Sequence, residues 1–140
     1  MNEKIRDKIN ESKEELKRAK RFFGNGEYSE FIFYSQQVIE KSLKALYMFR
    51  IREIARGDSI GLAQRMKIEN ELMLEIKELS PEYLFMKYPD VKMGIPKEFA
   101  EMHTNTAEKV LNLVLKEIKF EDNENVEMEN EIKIEVMENE

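Results

Sequence analysis

At 140 residues and 16.7 kDa, with 41% hydrophobic and 37% charged residues, the chain has the size and composition of one water-soluble domain. It contains no Cys and one His, which excludes thiolate catalysis, disulfide scaffolding and Cys/His zinc sites. The net charge of −6 averages two unlike parts: residues 121–140 hold nine acids and one base, a charge of −8, whereas residues 1–120 hold 20 acids and 22 Lys or Arg, a charge of +2. A mildly basic body suits an anionic ligand but lacks the strong bias of a duplex-DNA binder. No apolar run of about 18 residues and no signal-like N-terminal segment occurs, so a cytoplasmic protein without membrane association is expected.

Residues 2–23 place Ile5, Ile9, Leu16, Ala19, Phe22 and Phe23 on one helical face, with Lys, Arg and Glu between them. Gly24-Asn25-Gly26 ends this amphipathic helix, because Gly and Asn tolerate the left-handed conformation, and so short a link favours an antiparallel partner. Residues 27–56 contain neither Pro nor Gly and predict a second helix, about 45 Å long at 1.5 Å per residue, stopped by Gly57. Near its start Phe31-Ile32-Phe33-Tyr34 covers most of the circumference. Either the helix sits at the centre of the domain, or one face meets a second subunit.

Asp58 or Ser59 can cap a third helix running to residue 79, with Leu62, Met66, Met73, Ile76 and Leu79 as its buried stripe and Ser80-Pro81 as its end. Residues 82–93 carry the short apolar cluster Tyr83-Leu84-Phe85 and then Lys87-Tyr88-Pro89-Asp90, which reads as a turn. Pro96 opens a fourth long helix reaching about residue 119, with Phe99, Met102, Ala107, Val110, Leu111, Val114, Leu115 and Ile118 apolar. The expected fold is therefore all-α, an antiparallel up-and-down bundle of four to five helices over residues 1–120, followed by an acidic extension over 121–140. In that extension Val126, Met128, Ile132, Ile134 and Val136 alternate with charged residues at period two, a signal for a short strand or hairpin, or for pairing with another chain. Its acidity equally suits disorder.

The lone His103 lies beside the apolar stripe of the fourth helix, either as a core side chain or as a pocket acid, base or RNA ligand. A bundle metal site pairs Glu-x-x-His motifs, and Ala100 stands three residues before His103, so neither metal nor any other cofactor is expected. Gly24-Asn25-Gly26 lacks the spacing and the Lys-Ser/Thr pair of a phosphate-binding loop. On the second helix Gln36, Gln37, Glu40, Lys41 and Lys44 form a polar stripe in which residues 37, 41 and 44 share a face. Such stripes are ordinarily solvated surface.

The sequence Ala19…Phe22-Phe23-Gly24-Asn25-Gly26-Glu27-Tyr28…Phe33…Gln36-Gln37-Val38-Ile39-Glu40-Lys41-Ser42-Leu43-Lys44-Ala45-Leu46 resembles the HEPN domain family, helical domains associated with nucleotides and RNA and often encoded beside minimal nucleotidyltransferases. The resemblance continues in Lys87-Tyr88-Pro89-Asp90 and in Ala107-Glu108…Val110-Leu111, covering about residues 2–119. It implies a helical bundle that commonly forms homodimers and binds nucleotide or RNA, many members being metal-independent endoribonuclease toxins of toxin-antitoxin pairs. Active members carry Arg followed four to six residues later by His, whereas here Lys97 holds that place before His103. Residues six apart lie about 240° apart on a helix, so Lys97 and His103 face different directions. Asp58 and Ser59 stand where this branch often has His, and Lys87 replaces an Arg, keeping the charge without the planar fork.

The resemblance thus implies a nucleotide- or RNA-binding module without the usual ribonuclease motif, acting as a homodimer with a nucleotidyltransferase partner. Gln37, Glu40, Lys41, Lys44 and Lys87 are the expected ligand contacts, with Tyr88 as a stacking surface. Two alternatives stand beside it: a toxin-type endoribonuclease using His103 for proton transfer, and a structural dimerisation protein built on the aromatic run. The charge split adds an expectation that the acidic extension competes with an anionic ligand for the body.

Overall fold

A computed structural model describes residues 2–90 and 92–121, with side chains described up to residue 118. Among them are seven helices: α1 (Glu3–Gly24), α2 (Tyr28–Ile51), α3 (Ser59–Arg65), α4 (Asn70–Glu78), α5 (Pro81–Lys87), α6 (Lys97–Met102) and α7 (Thr106–Glu121). The strand or hairpin expected around Val126 to Val136 lies outside the described residues.

The α1–α2 hairpin is the frame. Gly26, with φ 75°, makes the turn after α1, and the two helices pack along their length with small side chains at the seam. The Ser12 hydroxyl donates to the Val38 carbonyl at 3.1 Å and lies 2.6 Å from the Ser42 hydroxyl, so these two hydroxyls are satisfied inside the core, whereas the buried Ser35 hydroxyl has no hydrogen-bond partner among the described residues. Helix α7 covers another side of α2, burying Val110, Leu111, Val114 and Ile118. The aromatic run divides as one core can divide it: Phe31 and Ile32 are buried, Tyr34 stacks on Phe22 at 5.2 Å, and Phe33 remains 52% exposed.

Three helix bounds differ from the periodicity. Helix α2 stops at Ile51 rather than reaching residue 56, because Arg52 adopts the left-handed conformation (φ 66°) while its N–H still bonds to the Met48 carbonyl. The third helix is two helices: Lys67 turns with φ 56°, the Ile68 N–H returns to the Ala63 carbonyl, and the Glu69 carboxylate caps α4 by accepting from the Leu72 N–H at 2.8 Å. This turn lets Leu62, Met66, Ile68, Leu72 and Ile76 all reach the core, so tertiary burial overrides local continuity. The fourth helix is also two, broken at His103, Thr104 and Asn105, where the Thr104 hydroxyl donates to the Glu101 carbonyl at 2.8 Å and ends α6.

Ser80-Pro81 ends α4 and also starts α5, since the Ser80 hydroxyl accepts from the Tyr83 N–H and Pro occupies the first turn. The loop after α5 is pinned to the start of α2 by the Ile95 N–H donating to the Ser29 hydroxyl at 3.1 Å. Gly94 permits that approach: its φ is 67°, and a Cβ there would lie 3.2 Å from the same hydroxyl. None of the helices formed by described residues is long and apolar enough to cross a membrane.

Candidate functional site

Folding brings α2, the start of α3, the end of α4 and the start of α5 around a cavity of about 200 Å³. Its floor is apolar, from Ile39, Ile60, Ile76, Leu79 and Pro81, and its polar groups are Gln36, Gln37, Glu40, Asp58, Ser59, Ser80 and Glu82. Several of these are committed to holding the walls. Gln36 donates from Nε2 to the Leu79 carbonyl at 2.7 Å, Asp58 accepts from the Gly61 N–H at 2.7 Å, and Glu40 accepts from Lys44 Nζ at 2.7 Å. Gln37 and Glu82 have no side-chain hydrogen-bond or ion-pair partner among the described residues, so their polar groups are available to a ligand.

The expected contact residues divide between three places. Gln37 and Glu40 share the cavity, with Lys44 beside it through Glu40. Lys41 turns to α1, where it meets the buried Glu15 at 3.4 Å and Glu11 at 3.9 Å, and Arg18 meets Glu15 at 2.8 Å from the same helix. Lys87 and Tyr88 belong to an aromatic surface at the end of α5. There the Lys87 ammonium lies 5.5–5.8 Å from the rings of Tyr83, Tyr88 and Phe99 and donates to the Tyr83 hydroxyl at 3.3 Å. That hydrogen bond is the leading reason its pKa is raised above the ordinary lysine value, and the charge is secure at neutral pH.

His103 sits behind Phe99, their ring centres 4.8 Å apart, and is 2% exposed. Its Nε2 is 2.9 Å from Glu78, and its Nδ1 is 3.1 Å from the Thr106 hydroxyl, which donates its single proton to Glu75 at 3.0 Å. Lys109 closes the chain with two 3.3 Å contacts to Glu75. With the hydroxyl proton directed to Glu75, the Thr106 oxygen is left to accept from Nδ1–H, and Nε2 faces the Glu78 carboxylate. The cluster fastens α4 to the α6–α7 break; no ring nitrogen is left over for a substrate, and Thr106 is wholly buried. Lys97 pairs with Glu101 at 3.6 Å on α6. Among the described residues no group of three or more His, Cys, Asp or Glu side chains has the arrangement of a metal site.

The sequence marks Ser80 only as helix punctuation, marks Asp58 and Ser59 as a helix cap and as the place where related chains often have His, and leaves Glu82 unremarked, because a cavity drawn from four elements has no linear signature. Glu78 and Thr106 were also unmarked as partners of His103, although the three-residue step from His103 to Thr106 across a Thr-Asn break is a helix-start signal.

Three comparisons bear on this geometry. The family model for the HEPN domain matches residues 5–118. A protein of Methanocaldococcus jannaschii named "Putative toxin MJ1304" is 28% identical over 126 residues, covering 76% of this chain and 82% of that protein. The crystal structure of TT1696 from Thermus thermophilus superposes with a TM-score of 0.68 at 26% identity, covering 83% of this chain and 98% of that one.

Proposed function

The chain belongs to the HEPN domain family, and from that premise we propose that it is a nucleotide- or RNA-binding module whose ligand places a base in the cavity beside Gln37 and Glu40. The observation that carries this reading is the unpartnered Gln37 amide on the wall of an apolar-floored cavity. An amide offers a donor and an acceptor side by side, the complement of a base edge, and a carboxylate such as Glu40 accepts from ring or exocyclic N–H groups. At about 200 Å³ the cavity is smaller than the roughly 300 Å³ or more of a pocket for a whole drug-sized ligand, so it takes one ring system and leaves sugar and phosphate outside. Its acids Glu40, Asp58 and Glu82 repel a phosphate from the interior, which agrees with that orientation. Lys87 with Tyr88 then contacts the outer part of a longer RNA by charge and stacking. Lys41, held by two acids of α1, is dropped from the contact set.

The module acts as a homodimer, with exposed Phe33 on the Phe22–Tyr34 stack as its contact face, alongside a nucleotidyltransferase-type partner. A second reading, a metal-independent endoribonuclease, is favoured by the name of the Methanocaldococcus relative. The buried, doubly engaged His103 argues against it as the proton-transfer residue.

The test is a nitrogen-15 NMR titration of the full chain with nucleoside monophosphates and a short single-stranded RNA, without metal. Saturable shifts of the Gln37 side-chain amide and of the α5 start are expected. Shifts confined to other surfaces, or none at millimolar ligand, would remove the cavity as the site.

A further inference from the structure

The cavity beside Gln37 carries three carboxylates, Glu40, Asp58 and Glu82, and no lysine or arginine among its lining residues. The hydrogen bonds already made inside the protein decide what is left for a ligand. Gln36 is committed to the Leu79 carbonyl at 2.7 Å, which ties the α2 wall bearing Gln37 and Glu40 to the α4–α5 junction bearing Ser80 and Glu82. Asp58 gives one oxygen to the Gly61 N–H and Glu40 gives one to Lys44, so each keeps a second carboxylate oxygen, and Glu82 keeps both. The donors are the Gln37 amide and the hydroxyls of Ser59 and Ser80, the Ser80 oxygen already accepting from the Tyr83 N–H. Acceptors therefore dominate the lining, and a base that suits it must present more N–H groups than carbonyls.

Resting on the base-binding reading of this cavity, we propose that it selects guanine. The four bases differ in what their Watson–Crick edges offer. Uracil presents one N–H between two carbonyls, and adenine and cytosine present an amino group beside an unprotonated ring nitrogen. Guanine presents a ring N–H and an amino group side by side, next to a single carbonyl. A second carbonyl or a bare ring nitrogen set against a carboxylate places acceptor against acceptor and loses its hydrogen bond with water. The adjacent N1–H and N2–H₂ of guanine are instead the groups that carboxylates accept, in charge-assisted hydrogen bonds. The spacing on α2 suits this edge: Gln37 and Glu40 are three residues apart, which puts their Cβ atoms about 5–6 Å from each other on one side of the helix. The Gln37 amide then donates to O6, while Glu40 and, from the start of α5, Glu82 accept from N1–H and N2–H₂. Lys44, at 2.7 Å, holds Glu40 in place for that role. The floor of Ile39, Ile60, Ile76 and Leu79 packs on the ring without competing for its polar edge.

The test titrates the full chain with the 5′-monophosphates of guanosine, inosine, adenosine, cytidine and uridine, without metal, and reads affinity from the Gln37 side-chain amide in nitrogen-15 spectra. The guanosine nucleotide should bind about tenfold or more tightly than the uridine, cytidine and adenosine nucleotides. Inosine monophosphate, which is the guanosine nucleotide without its 2-amino group, should bind about fivefold or more weakly than the guanosine nucleotide. Glu82 is exposed and has no side-chain partner among the described residues, so Glu82→Ala should keep the parent spectrum away from the cavity while narrowing the guanosine–inosine difference to about twofold or less. Equal affinities for the guanosine, adenosine, cytidine and uridine nucleotides, with the Gln37 amide still shifting, would keep the cavity as a base site and overturn the selection of guanine. A guanosine–inosine difference undiminished in Glu82→Ala would overturn it as well. No Gln37 shift with any of the five at millimolar concentration would remove the cavity as a base site, and guanine selection with it.

Discussion

The cavity beside Gln37 and the cluster around His103 are both polar sites in a helical domain, and they differ in what is left unsatisfied. Around His103 the polar atoms face one another: the imidazole spans Glu78 and Thr106, Thr106 passes its proton to Glu75, and Lys109 neutralises that carboxylate. At the cavity Gln37 and Glu82 line the wall beside apolar residues, with no side-chain hydrogen-bond or ion-pair partner among the described residues. The residue type most associated with catalysis is therefore spent on architecture, whereas an undistinguished amide is free to recognise a ligand. Reactivity follows access and unmet hydrogen-bonding capacity more than side-chain identity.

Breaking the His103 cluster should have the largest effect. His103→Ala removes a buried ring packed on Phe99 and unties α4 from the α6–α7 break, so a loss of about 2–4 kcal/mol of stability is expected in denaturant melts. A variant as stable as the parent would mean the imidazole is not a structural tie. The cavity predicts the opposite pattern: Gln37→Leu should leave the melt within about 0.5 kcal/mol of the parent and weaken nucleotide or RNA binding by about 1–3 kcal/mol. Unchanged affinity would detach Gln37 from the site.

A smaller effect separates the Arg50–Glu117 pair from both regions. Arg50 holds the Glu117 carboxyl below its ordinary value, first through their hydrogen bonds. A lowered folded pKa contributes stability that is present above the unfolded value, near pH 4.5, and is lost as pH falls through the folded one. Both side chains are about one-third exposed, which limits the contribution to about 1 kcal/mol or less. Glu117→Gln should lose that increment at about pH 7 and differ little from the parent near pH 2, as read by melts at the two pH values. Least of all, Lys41→Ala should leave ligand affinity unchanged, because its ammonium is directed at Glu11 and Glu15; weakened binding would return that residue to the contact set.

Legibility of the fold tracked how turns are encoded. The α1–α2 hairpin was plain because strong apolar periodicity ends at Gly24-Asn25-Gly26. The break between α3 and α4 was hidden because a lysine, Lys67, takes the left-handed conformation and the apolar stripe continues through it. The break at His103 was masked in the same way, since Phe99, Ala107 and Val110 keep helical spacing across it. Within the site, Gln37 and Glu40 could be singled out because they share one helix with a family pattern. Their cavity partners Asp58, Ser80 and Glu82 come from helix junctions, and only the folded chain places them opposite α2.

The most direct test of ligand binding at the cavity is the affinity of the full chain for a labelled single-stranded RNA, measured by fluorescence anisotropy without metal, against the same titration of Gln37→Leu. Intact RNA bound about tenfold or more weakly by the variant is the predicted result, the fold-change corresponding to about 1.4 kcal/mol or more. Equal binding by the two proteins, or no binding by either, would contradict it.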